Sequence, residues 1–437
     1  MRFIHTADWH LGNQMHDIDR KEEVKAFFGF LKSLIIKKNA TALIVSGDIF
    51  DTANPPLEAR RLYYTFLASL SDTCCKNVII VGGNHDSSVM LDCAKELLDV
   101  LNIRVVGSIN NLNPSDMCFE LKDCNDEVSG VCMALPFIRE LELRNLVWKS
   151  GEEKSAENRK IADSDLYNIA YQKIYTQVFN EAEKLRDGRN IPIVATGHLY
   201  AANLEGRLSE KKSNEKSDDG VKVLDVLGTL GNVPVSVFPP ADYVALGHIH
   251  YSTMVAKNPA IRYSGSPFVM GFDEAEIPHY VLCVDLNPCA GEKCSLEVEK
   301  IETPRIVTYK RLSGTPAKIK EELEALSREK NGTKPLYLEL CYKREIGVNV
   351  QEYLAETIQN LGENISVVSW KVLDFEKAFS SSSFSGFEMR EIKNLDDKEV
   401  FTQLILSKSG LEAESEEGKR AIEKFLPLFM QIAAGEN

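Results

Sequence analysis

The chain has 437 residues, of which 44% are hydrophobic and 27% charged, and its formal net charge at pH 7 is −14. This composition is typical of a soluble globular protein with room for two or three domains. A net negative charge excludes a protein that holds nucleic acid by bulk positive charge, although local basic patches remain compatible with it.

Neither the cysteines nor the hydropathy suggests a secreted or membrane protein. The 10 cysteines are scattered and form no CxxC pair, which favours reduced thiols over a disulfide framework or a zinc knuckle. The sequence opens directly on an apolar strand pattern, without a signal-like segment, and no apolar run approaches the length of a membrane span. We therefore expect a cytoplasmic protein that does not enter a membrane.

Short apolar runs recur through the first 250 residues, and each ends at a glycine or a polar residue. In chain order they are RFIHTAD, ALIVSGD, VIIVGGNHD, IPIVATGH and DYVALGHIH. Runs of this kind are typical of strands that are buried on both faces. Helical apolar stripes lie between them at residues 57–70 and 89–101, so the pattern predicts an α/β sheet covered by helices.

The rest of the chain predicts a smaller domain and a tail. After residue 303 the pattern is strand-helix-strand-helix-strand, and a serine-rich stretch at residues 379–387 precedes two amphipathic helices. Residues 204–220 are polar and predict a surface loop. We divide the chain into a main domain at 1–303, a small α/β domain at 304–376, and a linker with helices at 377–437.

Potential metal ligands stand at the ends of the five apolar runs. They are Asp8 and His10, then Asp48 and Asp51, then Asn84, His85 and Asp86, then His198, and finally His248 and His250. Each group alone has an ordinary explanation as a turn, a cap or a satisfied histidine. In an α/β sheet, however, the carboxyl ends of the strands form the ligand site. Carboxylate, amide and imidazole donors together favour a divalent ion such as Mn, Fe or Zn.

The ordered set D-x-H, G-D-x-x-D, G-N-H-D, G-H and G-H-x-H resembles the calcineurin-like metallophosphoesterase superfamily. The stretches HTADWHLG, GDIFDTANPP, FPPADYVALGHIH and YSGSP resemble its bacterial branch of SbcD-type DNA nuclease subunits. The resemblance implies a two-sheet α/β sandwich with a small α/β capping domain, which would bind DNA, and C-terminal helices that would bind a partner.

The resemblance also implies roles for the candidate residues. Two overlapping sets of residues that share Asp48 would hold two divalent ions. The preferred ion would be Mn²⁺, with Mg²⁺ or another first-row metal as the alternative. The first set is Asp8, His10, Asp48 and His250, and the second is Asp48, Asn84, His198 and His248. His85 would act on the phosphate, and Asp86 would hold the ring of His85. Asp51 would shape the site. Thr52 stands where protein phosphatases of this superfamily carry an arginine, which argues against a phosphoprotein substrate.

The function implied is metal-dependent hydrolysis of DNA phosphodiester bonds, by double-strand exonuclease and by hairpin or single-strand endonuclease action, in DNA repair, recombination and replication. The implied partners are DNA and an SbcC-type coiled-coil ATPase, with a homodimer of this chain inside a heterotetramer. Two alternatives stay open: a small-nucleotide metallophosphodiesterase and an inactive scaffold on the same fold.

Three surface assignments remain open at this stage. The C-terminal helices either dock the ATPase or pack on their own domain. The helical stripes at 62–70 and 91–101 either form a homodimer face or pack on the sheet. The candidate DNA-contacting cations, which are otherwise solvated surface charges, are Arg60, Arg61, Lys310, Arg311, Lys343 and Arg344.

Overall fold

A computed structural model of the chain describes residues 1–16, 18–110, 112–147, 163–201, 233–289, 292–328, 334–343, 348–373, 419–420, 422 and 424–426. The predicted loop at 204–220, the serine-rich stretch and nearly all of the two C-terminal helices lie outside the described residues. Within the described part of the chain, no helix combines the length and the apolar character needed to cross a bilayer. Every cysteine whose side chain is described there is a free thiol.

The chain alternates strands and helices. The strands are β1 (Arg2–Thr6), β2 (Ala42–Ser46), β3 (Asn77–Val81), β4 (Ile103–Val106), β5 (Cys118–Lys122), β6 (Val128–Met133), β7 (Ile193–His198), β8 (Tyr243–Gly247), β9 (Thr253–Val255), β10 (Asn258–Tyr263), β11 (Tyr280–Cys289), β12 (Glu292–Glu302), β13 (Thr308–Gly314), β14 (Leu336–Tyr342) and β15 (Ile365–Val372). The α-helices are α1 (Lys21–Lys38), α2 (Leu57–Ser69), α3 (Ser88–Asp92), α4 (Lys95–Val100), α5 (Glu140–Val147), α6 (Asp163–Arg186), α7 (Pro316–Arg328) and α8 (Val350–Gln359).

Twelve of the strands form two six-stranded sheets, in the orders β12-β11-β1-β2-β3-β4 and β5-β6-β7-β8-β10-β9. Strands β1 to β4 pair in parallel in the first sheet, and β6, β7, β8 and β10 pair in parallel in the second. The outer strands β11, β12, β5 and β9 pair antiparallel. The predicted mixed α/β class with two sheets is thereby confirmed, and all five apolar runs are strands.

The central parallel strands of the first sheet are largely apolar because they contribute to two cores. Side chains alternate across a strand, so Phe3 and Ile44 pack in the core that includes residues of the second sheet. Their neighbours Ile4 and Val45 pack in the core formed with helices α1 and α2. The two sheets therefore pack face to face, which brings the ends of their parallel strands together.

The helix predicted at 89–101 is two short helices instead. Ala94 leaves helical dihedral angles (φ −116°, ψ 17°) between α3 and α4. Asp92, the last residue of α3, uses its carboxylate to accept a hydrogen bond from the backbone N–H of Gly107. Leu91 and Leu98 are buried as the predicted stripe requires, whereas Leu101 is 45% exposed. The interruption turns part of the apolar stripe away from the core.

The predicted strand-helix pattern after residue 303 is observed as β13, α7, β14, α8 and β15, with the strands in the order β13-β14-β15. The chain divides into two compact units. The larger comprises residues 1–312, 320–340 and 356–370, and the smaller comprises 313–319, 341–355 and the described residues from 371 onward. Both six-stranded sheets lie in the larger unit. The domain boundaries at 303/304 and 376/377 remain predictions.

Asn77 joins the two sheets at the end remote from the strand-end ligands. Its side-chain amide donates to the carbonyl oxygens of Thr41 (3.0 Å) and Lys122 (2.7 Å) and accepts from the Lys122 N–H (2.9 Å). Asn77 begins β3 in one sheet and Lys122 ends β5 in the other. The Thr41 carbonyl also accepts from the backbone N–H groups of Lys76 and Asn77, so the two bonds to the Lys122 backbone are the ones through which this buried amide joins the sheets.

We expect Asn77→Ala to lower the free energy of unfolding by about 1–3 kcal/mol, because it removes the two hydrogen bonds that join β3 of one sheet to Lys122 of the other. Urea denaturation monitored by circular dichroism measures the change. The matched control is Asn125→Ala, since Asn125 is exposed in the turn after β5. Equal stability of the two variants would show that the amide does not contribute to holding the sheets together.

Candidate metal centre

The strand ends of both sheets meet at one place and carry the predicted ligands there. Asp8 and His10 follow β1, Asp48 follows β2, Asn84 follows β3, His198 is the last residue of β7, and His248 and His250 follow β8. The first three strands belong to one sheet and the last two to the other. The site therefore depends on both sheets, and neither sheet alone holds all of these side chains.

The backbone at these positions is strained in a way that turns the side chains inward. Asp8, His10, Asp48 and His248 have positive φ angles of 54°, 43°, 50° and 102°. Such conformations cost on the order of 1–3 kcal/mol each and persist only when the surrounding structure enforces them. Backbone hydrogen bonds do so here, because Asp8 N–H donates to the Gly47 carbonyl and His10 N–H to the Asp48 carbonyl, both at 3.0 Å.

Two glycines in the motifs allow the sheets to approach this closely. A Cβ at Gly247 would lie 1.9 Å from the carbonyl oxygen of Ser46. A Cβ at Gly47, whose φ is +91°, would lie 2.1 Å from Nδ1 of His198. Any larger residue at these positions would displace either a strand end or a candidate ligand. The glycines before Asp48 and His248 are thus explained by packing.

The side chains form two clusters joined by one carboxylate. One ligand atom each of Asp8, His10 and His250 lies within 4.8 Å of the others, and Asp48, His198 and His248 form a second such cluster. Oδ2 of Asp48 lies 3.2 Å from Nε2 of His198 and 3.6 Å from Nε2 of His10. This oxygen is therefore located between the two clusters.

Asn84 belongs to the second cluster. Its Oδ1 lies 3.0 Å from Nε2 of His198 and 3.0 Å from Nδ1 of His248. Nδ1 of His198 lies 2.9 Å from the carbonyl oxygen of Ser46. Since a carbonyl can only accept, Nδ1 of His198 carries the proton, and its Nε2 is the nitrogen available to a metal.

Three atoms in the first cluster lack the hydrogen bonds that buried polar atoms normally have. Oδ2 of Asp8 and both ring nitrogens of His10 are buried and find no hydrogen-bond partner among the described residues. Buried polar atoms of this kind call for an explanation such as an ion or a water molecule. Together with the mixed oxygen and nitrogen donors, they fit a divalent first-row metal ion.

The electrostatics of the protein without metal reflect how closely these groups are packed. Burial alone would lower the pKa of His198, but the charges of Asp48 and Asp8 outweigh it and raise the pKa to about 9. Burial would raise the pKa of Asp48, but the adjacent His198 holds it well below its usual range. Burial, with the charge of His198, lowers the pKa of His248 to about 3. A metal ion would displace the proton of His198, so metal affinity should fall in acid.

His85 lies beside the clusters and is exposed. Its backbone N–H donates to Oδ1 of Asp48 at 3.0 Å, and its ring is centred 4.8 Å from the ring of His10. Its Nδ1 lies 2.8 Å from the carbonyl oxygen of Asp51. That carbonyl fixes the proton on Nδ1 and leaves Nε2 of His85 as the free ring nitrogen.

The prediction that Asp86 holds the ring of His85 is wrong. Asp86 is buried, and its carboxylate accepts hydrogen bonds from the backbone N–H groups of Gly83 (2.8 Å), Ile49 (3.0 Å) and Phe50 (2.9 Å). The turn after β3 directs this side chain into the protein, where burial and the nearby Asp48 raise its pKa to about 6. Asp86 therefore organises the loops after β2 and β3.

Outer contacts to the histidines include a residue that the sequence alone did not indicate. Oδ1 of Asp51 lies 3.2 Å from Nδ1 of His10, and Asp51, His10 and His85 form a third group of possible metal ligands, so the site-shaping role of Asp51 stays a prediction. Oε1 of Glu274 lies 3.7 Å from Nδ1 of His250. Glu274 stands outside the five ligand motifs, and no sequence signal distinguishes it from the other acidic residues around it. Only the folded chain identifies this contact.

The candidate DNA-contacting cations differ in their surroundings. Nε of Arg311 lies 2.5 Å from Oε2 of Glu339, which is fully buried, so this arginine neutralises a buried carboxylate. Arg61 is exposed and lies 4.0 Å from Glu58. Arg344 is outside the described residues. The structure thus removes Arg311 from the exposed cations and leaves the DNA-contacting role of the others as a prediction.

Comparison with known proteins places this site in a family. Residues 1–252 match the model of the calcineurin-like phosphoesterase family. The SbcD subunit of the nuclease SbcCD from Escherichia coli K12 is 32% identical over 373 residues, covering 84% of this chain and 83% of that protein. The proteins of the same name from Rhodobacter capsulatus and Bacillus subtilis are 31% and 26% identical, covering 75% and 72% of this chain and 76% and 73% of their own lengths. The chain therefore belongs to the calcineurin-like phosphoesterase family and, within it, to the family of SbcD nuclease subunits.

Proposed function

We propose that this protein is a two-metal DNA nuclease, the hydrolytic subunit of an SbcCD-type complex. The observation that carries the proposal is the position of Asp48 Oδ2 between His10 and His198, since one carboxylate shared by two histidine clusters suits a pair of bridged metals. The relatives named as SbcCD nuclease subunits support a nucleic acid as the substrate, and DNA is the substrate that we propose.

The proposed ligands divide into the two sets that share Asp48. The first set is Asp8, His10, Asp48 and His250, and the second is Asp48, Asn84, His198 and His248. When bound, two divalent ions neutralise phosphate charge and lower the pKa of a water molecule, which is the chemistry that phosphodiester hydrolysis needs. Mn²⁺ is the proposed ion, and the nitrogen and oxygen donors also accept other first-row metals.

His85 is proposed to hold or transfer a proton at the leaving oxygen. Its ring is exposed and lies beside His10, so a phosphate at the metal centre is within its reach. The Asp51 carbonyl keeps the proton on Nδ1, so that Nε2 is the nitrogen that exchanges a proton with substrate. Asp86 acts indirectly by fixing the loop that carries His85.

We expect His248→Ala and His250→Ala each to lose one of two bound metals, because the two rings reach different clusters on either side of Asp48. Metal analysis after dialysis against Mn²⁺ measures the stoichiometry, which should fall from near two ions per chain to near one. His16→Ala is the control, because the ring of His16 packs against Phe272 and takes no part in the clusters. Unchanged metal content in both variants would remove these histidines from the ligand sets.

We expect His85→Ala to keep both metals and to bind DNA, yet to cleave linear double-stranded DNA about 10²–10⁴-fold more slowly, which is the usual contribution of a general acid–base group. The measurement pairs Mn²⁺ content with single-turnover cleavage. Loss of metal in this variant would make His85 a ligand and contradict the assigned role.

The same cleavage assay separates the proposal from its alternatives. A small-nucleotide phosphodiesterase would hydrolyse short nucleotide esters with Mn²⁺ and leave linear DNA intact. An inactive scaffold would bind metal and cleave neither substrate. The SbcD-type nuclease cleaves DNA, and its action on blocked or hairpin ends is expected to depend on ATP through the partner.

We further propose that α3 and α4 form the homodimer face. Val89, Leu97 and Val100 are 80%, 70% and 79% exposed, while Leu91 and Leu98 of the same helices are buried in the core. Exposed apolar residues clustered on adjacent short helices are typical of a protein interface.

We expect the double variant Leu97→Glu, Val100→Glu to be monomeric by light scattering where the wild-type chain is dimeric, because two carboxylates cannot be buried in an apolar interface without partners. Leu141→Glu is the control, since Leu141 is also 70% exposed but lies on α5. A dimeric double variant would place the interface elsewhere.

The remaining partner proposals follow from the family and the sequence. We propose an SbcC-type coiled-coil ATPase as the partner and residues 377–437 as its docking segment, with the two copies of each subunit forming a heterotetramer. Residues 304–376 are proposed as the capping domain that contacts DNA. The complex would act in DNA repair, recombination and replication in the cytoplasm.

A further inference from the structure

Arg20, immediately before α1, is a buried cation with an unusual number of partners. Its side chain is 6% exposed, and its Nε and Nη2 donate to the two carboxylate oxygens of Glu23 at 3.0 and 3.3 Å. A buried guanidinium must be paired in this way to be stable. Its third nitrogen, Nη1, makes contacts that lead towards the metal centre.

One chain of contacts leads from Arg20 to His10. Nη1 of Arg20 donates to Oδ1 of Asn13 at 3.3 Å, and Nδ2 of Asn13 donates to Oδ1 of Asp51 at 3.1 Å. The same oxygen of Asp51 lies 3.2 Å from Nδ1 of His10. Arg20 thereby determines the orientation of Asn13, and Asn13 determines the position of the carboxylate that meets His10.

A second chain of contacts leads from Arg20 to His250. Nη1 of Arg20 lies 3.8 Å from the sulfur of Met270. The backbone N–H of Met270 donates to Oε2 of Glu274 at 2.7 Å, and Oε1 of Glu274 lies 3.7 Å from Nδ1 of His250. The guanidinium also lies 5.4 Å from the ring centre of Phe268 in the same loop.

A third contact joins the same pair to β13. The hydroxyl of Tyr309 donates to Oε1 of Glu23 at 2.8 Å, the oxygen that also accepts from Nε of Arg20. The ring of Tyr309 packs against Phe272 with centroids 5.8 Å apart. Tyr309 therefore contacts both the helix that follows Arg20 and the loop that carries Glu274.

We propose that Arg20 is a positioning residue for the first ligand set alone, and that Tyr309 links it to β13. Both chains of contacts end with a carboxylate oxygen close to Nδ1 of a histidine in that set, 3.2 Å from His10 and 3.7 Å from His250. The inference rests on the proposed metal sites. Contacts of this kind orient ligand rings and raise their basicity, so losing them weakens metal binding.

The second ligand set has a separate support. His198 is held by the Ser46 carbonyl and His248 meets Asn84, and neither Ser46 nor Asn84 contacts Arg20 in the described hydrogen bonds. A substitution at Arg20 should consequently weaken the binding of one ion and leave the binding of the other unchanged. A general loss of folding would weaken the binding of both ions.

The test is calorimetric titration of the metal-free full-length chain with Mn²⁺. Arg20→Lys keeps the charge but loses the paired hydrogen bonds. We expect it to lower the affinity for one of the two ions by about 10-fold or more, which is the usual effect of losing an outer contact. Tyr309→Phe, which removes only the hydroxyl, should lower the affinity for the same ion by about 3–5-fold. Tyr337→Phe is the matched control, because its ring lies 5.8 Å from that of Tyr309 but its hydroxyl takes part in none of these contacts.

The outcomes separate this inference from the proposed function. If His250→Ala keeps two metals, the ligand assignment itself is wrong. If His250→Ala loses one metal while Arg20→Lys and Tyr309→Phe titrate like the control, the positioning role is contradicted. An equal loss of affinity for both ions also contradicts the positioning role. If Arg20→Lys does not fold, Asn13→Ala and Tyr309→Phe decide the matter by the same titration.

Discussion

The site depends on the carboxylate of Asp48, which is buried at the point where the two sheets meet. Its Oδ1 accepts the backbone N–H of His85, and its Oδ2 lies between the rings of His10 and His198. One side chain thus contacts residues from the ends of three different strands. A buried carboxylate is stable only with such partners, so the loops around it must keep their positions for the group to remain ionised.

Keeping those positions requires unfavourable local structure, which the packing of the two sheets enforces. Positive φ angles at Asp8, His10 and Asp48 occur where backbone hydrogen bonds join the loops after β1 and β2, and at His248 the backbone N–H donates to Oδ1 of Asp8. Asp86 reinforces this arrangement, because its carboxylate accepts three backbone N–H groups from the loops after β2 and β3. Stability and site geometry therefore depend on the same contacts.

The outer contacts differ between the two proposed ligand sets. The second set is held by groups of the strand ends themselves, such as the Ser46 carbonyl. In the first set, His10 lies near Asp51 and His250 lies near Glu274 of the loop at 264–279. Asp51 is linked through Asn13 to Arg20, whose partner Glu23 accepts a hydrogen bond from Tyr309 of β13. Under the proposed function, a substitution in β13 would lower the affinity for the ion of the first set more than the affinity for the ion of the second.

The sequence by itself determined the strands and the identity of the site. Apolar runs that end in glycine and a ligand residue predicted five buried strands, because only strands covered on both faces tolerate such continuous apolarity. The resemblance of these motifs to the calcineurin-like phosphoesterases implied two ligand sets that share Asp48. Tertiary structure alone decided the break at Ala94 and the burial of Arg311 against Glu339. It also decided the role of Asp86 and the contacts of Arg20 and Glu274, because these depend on residues distant in sequence whose side chains meet only after the sheets have packed.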